Sequence, residues 1–232
     1  MNHKMALHLK MENKNQNKKM SSISDIRKDY LLQSLLESDI EKNPIDQFST
    51  WWNQAIESQI DEVNAMTLAT VDANHKPSAR IVLLKEFDEN GFVFFTNYNS
   101  KKGLDMLTNK NVALVFFWKE LERQVRIEGT VERVSDGISD AYFNSRPETS
   151  RIGAWASPQS TIINSREILE TNFQKYQTAF EEKQIKRPPH WGGFNVKPEL
   201  IEFWQGRSSR LHDRIMYCEI GDNEWKINRL AP

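Results

Sequence analysis

The residues of this chain that could do chemistry are mostly cations and hydroxyls, at spacings that suit holding a phosphate. Arg80 and Lys85 bracket the apolar run Ile81-Val82-Leu83-Leu84. A run this short, with two β-branched residues, predicts a buried strand. Cations at both ends of a buried strand call for a nearby anion, because a lone buried charge is costly. Arg meets phosphate as a two-pronged fork and Lys as a point charge. The plainer alternative is two strand-end charges paired or solvated at the surface. Lys101-Lys102 follow Ser100 at the start of a predicted helix, where the helix dipole disfavours cations unless an anion sits there too. Solvated surface lysines are the alternative. Tyr142 and Arg146 lie four apart on another predicted helix and share a face. With Ser150 just past Pro147 they would make a good phosphate set, or else a Tyr-over-Arg packing pair. The densest polar cluster is Arg210-Leu211-His212-Asp213-Arg214, close behind Trp204. If extended, it points Arg210, His212 and Arg214 the same way, and three such groups repel unless they meet an anion. The alternative there is a solvated loop.

Composition removes several other classes of function. Formal net charge is −1, from 31 Lys and Arg against 32 Asp and Glu, so no basic field argues for nucleic acid. The longest apolar run, residues 112–118, is too short to cross a bilayer. The single cysteine, Cys218, allows no intrachain disulfide and suits a reducing, cytoplasmic location. It falls in a predicted strand, where a small buried hydrophobe is the reading preferred to a nucleophile. Five histidines include no HExxH or His-x-His pair, so no metal centre is expected. Glycine-rich phosphate loops of the GxGxxG or GxxxxGK[ST] type are absent, so a nucleotide would be held by side chains.

The elements that must position these groups read as follows. Residues 1–22 are Lys- and Asn-rich without an apolar core and are expected to form a disordered tail. Residues 23–232 are expected to form one domain. Helices are predicted over 24–38 and 46–60. Strands follow at 65–71 and 78–86, with a turn over 72–77, then a hairpin connection at 87–91 and a strand at 92–97. A helix over 100–109 precedes strands at 112–118 and 124–134. Helices over 139–146 and 165–183 lead through a linker at 186–189 to short strands at 191–196, 200–205, 214–220 and 225–230. Hairpin-type strands in succession, without alternating βαβ units, predict a mainly β (α+β) antiparallel barrel or strongly coiled sheet with peripheral helices.

Taken together, these residues resemble pyridoxamine 5′-phosphate oxidase. The likeness is carried by Arg80 through Lys85, Phe95-Thr96-Asn97, Ser100-Lys101-Lys102, Leu121 through Val125, Ser145-Arg146-Pro147, Ile152 through Trp155 and Gln159-Ser160. It continues through Trp191 through Phe194, Ile201 through Gly206, Arg210 through Arg214 and the closing Arg229 through Pro232. It runs from about Ile26 to Pro232.

The resemblance implies an FMN-binding split β-barrel working as a homodimer with active sites at the interface. It implies oxidation of pyridoxamine or pyridoxine 5′-phosphate to pyridoxal 5′-phosphate, with dioxygen reduced to hydrogen peroxide. By match to the family's pattern, FMN would meet Arg80, Ile81, Val82, Leu83, Leu84, Lys85, Phe95, Thr96, Lys101, Lys102, Gln124, Gln159, Ser160, Trp204 and Arg214. The substrate phosphate would meet Lys85, Tyr142, Arg146 and Ser150. Arg210, Leu211 and His212 would lie at the substrate ring, Arg210 and His212 as catalytic groups, with Arg27 and Tyr30 as a lid. Lys101 stands where an arginine is common, losing the fork, and Phe95 where a tyrosine is frequent. A flavin- or haem-binding protein of the same barrel type without oxidase activity is the rival. It would lack the Tyr142, Arg146, Ser150 and Arg210, His212 sets.

Overall fold

The structure, a computed structural model, describes residues 29–181, 183–221 and 223–232. The predicted tail over 1–22 and Arg27 lie outside the described residues. The first helix, α1 (Pro44–Glu57), starts at a capping Asn43 whose side chain accepts from the Ile45 amide, with Pro44 in the first turn. Its apolar stripe of Phe48, Trp51 and Ala55 is buried. There follow β1 (Ala65–Val71), β2 (Pro77–Leu83), β3 (Glu86–Asp88), β4 (Gly91–Asn97), α2 (Lys101–Thr108), β5 (Asn111–Trp118) and β6 (Arg123–Arg133). Next come α3 (Asp136–Ser145), α4 (Glu148–Ala156), α5 (Glu167–Ala179), β7 (Trp191–Gln205), β8 (Asp213–Gly221) and β9 (Glu224–Arg229).

All strand pairings are antiparallel, in the order β2-β1-β5-β6-β7-β4-β3, with β8 on β7 and β9 on β8. The ends of that path, β2 and β3, are joined by Leu84 and Lys85 alone. The Leu84 amide donates to Asn64 O at 2.9 Å and the Lys85 amide to Val93 O at 2.8 Å. The sheet therefore curls back on itself, and Lys85 sits at the seam. Inside it, Phe48 of α1 meets Phe87, Phe92 and Phe116 edge-to-face at centroid distances of 4.8, 5.0 and 5.2 Å, the geometry aromatic quadrupoles favour. β7 is the long spine. Its first half pairs with β4, its second half with β8, and β6 follows it along most of its length.

Several expectations are corrected. Residues 29–38 are not helical: the Leu31 and Leu32 amides donate to Glu122 Oε2 and the Leu35 amide to Asp213 Oδ2, instead of to helical carbonyls. The run Ile81 to Leu84 is not a buried strand. β2 ends at Leu83, Ile81 is 64% exposed, and only Leu84 is buried. Phe87 and Asp88 belong to β3 rather than to the hairpin connection. The two strands expected over 191–196 and 200–205 are one. Pro198, which cannot donate to a ladder, sits opposite Gly129 where the β6–β7 register shifts, and a Cβ at Gly129 would run into the Lys197 carbonyl. α4 has no counterpart among the expected helices.

Candidate active site

A cavity of about 530 Å³ opens beside the β2–β3 seam. It gathers Ile81, Val82, Leu83, Lys85, Phe95, Thr96, Lys102, Tyr142, Arg146, Ser150 and Gln159 from the residues expected at the site, and its wall includes Trp191 and, among the described residues, no Asp or Glu. α3 brings Tyr142 in, its C-cap Arg146 follows, and α4 supplies Ser150. Tyr142 stacks on Phe95 at 4.0 Å, while Arg146 lies over Trp191 at 4.6 Å rather than over Tyr142. Arg146 Nη1 is buried without a hydrogen-bond partner among the described residues. Burial pulls its guanidinium below the ordinary value, and Tyr142 opposes that. Lys102 Nζ lies 3.2 Å from both Ser100 Oγ and Gln159 Oε1, neither of them charged. Burial, reinforced by Arg80, pushes the Lys102 ammonium down to about 8.

Arg80 and Lys101 are turned away from this wall onto Asp105, a buried carboxylate of α2. Lys101 Nζ is 3.0 Å from Asp105 Oδ1 and Arg80 Nη2 is 4.0 Å from Oδ2. Arg80 also donates to Thr70 Oγ1 at 2.8 Å and to Ser78 Oγ at 2.5 Å. Leu84 is core, and Ser160 lies exposed in the turn after Gln159.

The remaining expected residues form a second cluster. Trp204 on β7 pairs with Gln124 on β6 and Arg214 on β8. His212 lies 4.6 Å from the Trp204 ring, and Tyr30 is edge-on to both, at 5.7 Å from Trp204 and 5.9 Å from His212. The Arg207 amide donates to His212 Nδ1. Burial, then repulsion from Arg210, lowers the His212 imidazole. Arg210, His212 and Arg214 do not share a strand face. Ser208–Arg210 is a 3-10 turn with Arg210 at φ 61°, and β8 begins only at Asp213. Arg210 and Leu211 are exposed. Arg214 is held by the buried Glu202.

Trp191 and Trp204 stand thirteen residues apart on the one strand β7, roughly 40 Å of chain at about 3.3 Å per residue. One protomer does not bring its two clusters together. Asp105 and Glu202, the carboxylates that organise the cations, escaped the reading of the sequence. Asp105 carried a usable signal, four residues after Lys101 on one helix face.

A family model described as pyridoxamine 5′-phosphate oxidase matches residues 53–180. The chain belongs to that family. A second model, the pyridoxine 5′-phosphate oxidase C-terminal dimerisation region, matches residues 191–232, the stretch of β7 to β9. The chain is thus an oxidoreductase of the pyridoxamine 5′-phosphate oxidase family. It is 57% identical over 211 residues to the pyridoxine/pyridoxamine 5′-phosphate oxidase of Trichormus variabilis, covering 91% of this chain and 99% of the relative. It is 56% identical over 213 residues to that of Paraburkholderia phymatum, covering 92% and 100%. Among solved structures it is similar to PhzG from Burkholderia lata 383 in complex with tetrahydrophenazine-1-carboxylic acid. That match has a TM-score of 0.80 at 26% identity and covers 87% of this chain and 99% of the other. It shares its fold with a pyridoxamine 5′-phosphate oxidase-related, FMN-binding protein from Nostoc punctiforme, at a TM-score of 0.65 and 16% identity, over 83% of this chain and 100% of the other. The fold of the family, a split antiparallel barrel, is the one described above. Among the described residues no helix is long and apolar enough to cross a membrane.

Proposed function

We propose that this chain oxidises pyridoxamine 5′-phosphate and pyridoxine 5′-phosphate to pyridoxal 5′-phosphate, with FMN as cofactor and dioxygen as electron acceptor. The alcohol and dioxygen give the aldehyde and hydrogen peroxide. The amine also consumes water and releases ammonia. This is a step of vitamin B6 salvage, and the single cysteine suits a cytoplasmic setting.

One observation carries the reading: Lys85, Lys102 and Arg146 line a single cavity whose wall holds no carboxylate among the described residues. Cations without counter-ions, one of them with a buried nitrogen in want of an acceptor, fit a site for two phosphate monoesters, and the Phe95, Tyr142 and Trp191 rings fit flat ligands. On this reading Lys102, Thr96 and Gln159 hold the FMN phosphate, with Arg80 and Lys101 behind them on Asp105. Tyr142, Arg146, Ser150 and Lys85 hold the substrate phosphate. FMN, held by these residues, would supply the two-electron redox chemistry between substrate and dioxygen. The chain's own task is to fix both phosphates, so that the two ring systems meet in one orientation, and to keep water out.

Arg210, His212, Trp204, Gln124 and Arg214 belong to the same reading only if a second copy supplies them. We therefore infer a homodimer in which the far end of β7 from one protomer completes the cavity of the other. The match of residues 191–232 to a dimerisation region supports it, as do the large apolar side chains left uncovered on one copy, among them Ile81, Leu107 and Phe117.

The test is the visible spectrum of the purified protein. A yellow flavin spectrum, bleached anaerobically by pyridoxamine 5′-phosphate and restored by air with one peroxide per pyridoxal 5′-phosphate, is expected. A protein that cannot be loaded with FMN, or whose flavin the substrate leaves oxidised, overturns the proposal.

A further inference from the structure

We infer that Trp191 is a positioning residue for phosphate recognition, its indole face fixing the Arg146 guanidinium at the cavity wall. The inference rests on the reading of Arg146 given above and extends it to Trp191, which that reading uses only as an aromatic part of the cavity wall. Arg146 makes no ion pair with a described carboxylate, and the centre of its guanidinium lies 4.6 Å from the Trp191 ring centroid. The next ring, Phe143, is at 5.9 Å. A cation held on an aromatic face is fixed without its hydrogen-bonding capacity being used, and Arg146 Nη1 has none of its capacity spent. A carboxylate in the same place would hold the side chain as well but would repel a phosphate.

Trp191 is itself fixed from three directions. Its ring is nearly parallel to Phe95 and Tyr142, at 5.6 and 6.2 Å, and edge-on to Phe143 at 5.4 Å. Its backbone pairs with Asn97 of β4. Its carbonyl accepts from Arg187 Nη1 at 2.7 Å, and Arg187 also binds Asp136 and Asp140 of α3, both at 2.6 Å. That helix carries Tyr142 and ends at Arg146. The tryptophan and the phosphate-binding end of α3 are thus joined twice, through the ring and through Arg187.

The experiment measures KM and kcat for pyridoxamine 5′-phosphate on FMN-loaded wild type, Trp191→Leu, Trp191→Phe, Arg146→Ala and the Trp191→Leu/Arg146→Ala double variant. Loss of a cation–π contact corresponds to a rise in KM of about 3- to 30-fold. Trp191→Leu is expected to raise KM in that range with kcat little changed, and Trp191→Phe, which keeps a ring, to fall between it and wild type. In the Arg146→Ala background the leucine is expected to add no further rise, because its effect passes through Arg146. If the leucine variant does not fold, the inhibition constant of inorganic phosphate on Trp191→Phe serves instead and is expected to be weaker than on wild type. An unchanged KM, an unchanged phosphate constant, or the same proportional rise with and without Arg146 overturns the inference, the last by showing a packing effect alone. If Arg146→Ala raises KM while the Trp191 variants do not, only the role of Trp191 fails. If Arg146→Ala leaves KM unchanged, the phosphate assignment falls and the inference with it.

Discussion

Arg214 Nε donates to Glu202 Oε1 at 2.7 Å, from β8 to its neighbour β7. The other Glu202 oxygen takes Arg126 Nη2 at 2.5 Å, and the carboxylate is 3% exposed. Burial alone would raise its pKa, but the hydrogen bonds from Arg214 and Arg126 outweigh that and hold it below its ordinary 4.5. Because the folded value is depressed, the stabilisation is present above about pH 4.5 and is lost as the pH falls through the folded value. Glu202→Gln leaves the guanidinium of Arg214 without its carboxylate partner. We expect a loss of about 3 kcal/mol, a drop in Tm of roughly 6–12 °C, and a shallower fall of Tm below pH 4.5 than in wild type. Equal Tm values at neutral pH would show that the pair does not stabilise the fold.

That pair also marks what the sequence could and could not disclose. β1 ends where the turn composition of 72–77 begins, and α2 starts behind the Ser100 cap whose side chain accepts from the Gly103 amide, because both signals are local. α4 follows Pro147 without a side-chain cap and contains Gly153, so its local signal is weak and packing against α5 decides it. The segment at 29–38 has helical spacing, yet Glu122 and Asp213, about 90 and 180 residues away, capture its amides. The cavity's cations were legible as residue types with motif spacing. Their sorting was not: Arg80 and Lys101 face Asp105 while Lys102 and Arg146 face the cavity, a division made by tertiary contacts.

Gly206 tests the seating of that segment. A Cβ there would stand 2.7 and 2.8 Å from Tyr30 Cγ and Cβ and 3.1 Å from Glu122 Cβ. Gly206→Ala should push Tyr30 off Trp204 and His212 and loosen the Glu122 bonds to the Leu31 and Leu32 amides. Amide hydrogen exchange at Leu31 and Leu32 is expected to speed up about tenfold, for roughly 1.4 kcal/mol of lost protection. Unchanged exchange at both amides would mean that Tyr30 is not what seats the segment at 29–38.

Arg210 is exposed, at positive φ, beside the half-buried His212. If it acts on the substrate rather than on the cofactor, Arg210→Ala should cut kcat by at least about 100-fold, the scale of a lost transition-state contact, while FMN affinity stays within about threefold of wild type. Removing a neighbouring cation should also raise the His212 pKa, since Arg210 is one cause of its depression. The kinetics and the imidazole titration followed by NMR check the two halves separately. A variant that loses FMN but turns over normally when FMN is resupplied contradicts the catalytic half, and a downward shift of His212 contradicts the electrostatic half.

If Lys102 holds the FMN phosphate as proposed, it sets a pH dependence for binding. Its ammonium is pushed down to about 8 by burial and by Arg80, so in the ligand-free protein it loses its proton as the pH rises through that value. A phosphate dianion favours the charged form and raises the pKa again. Binding therefore takes up a proton above about pH 8, and affinity must fall as the pH rises from 7 to 9, by up to about tenfold per pH unit beyond 8. Lys102→Arg keeps the charge throughout this range because a guanidinium does not titrate there. FMN dissociation constants of the two proteins, measured by flavin fluorescence at pH 7, 8 and 9, should diverge, with wild type weakening and the arginine variant flat. Parallel pH profiles would place the titrating group elsewhere and remove Lys102 from the phosphate site.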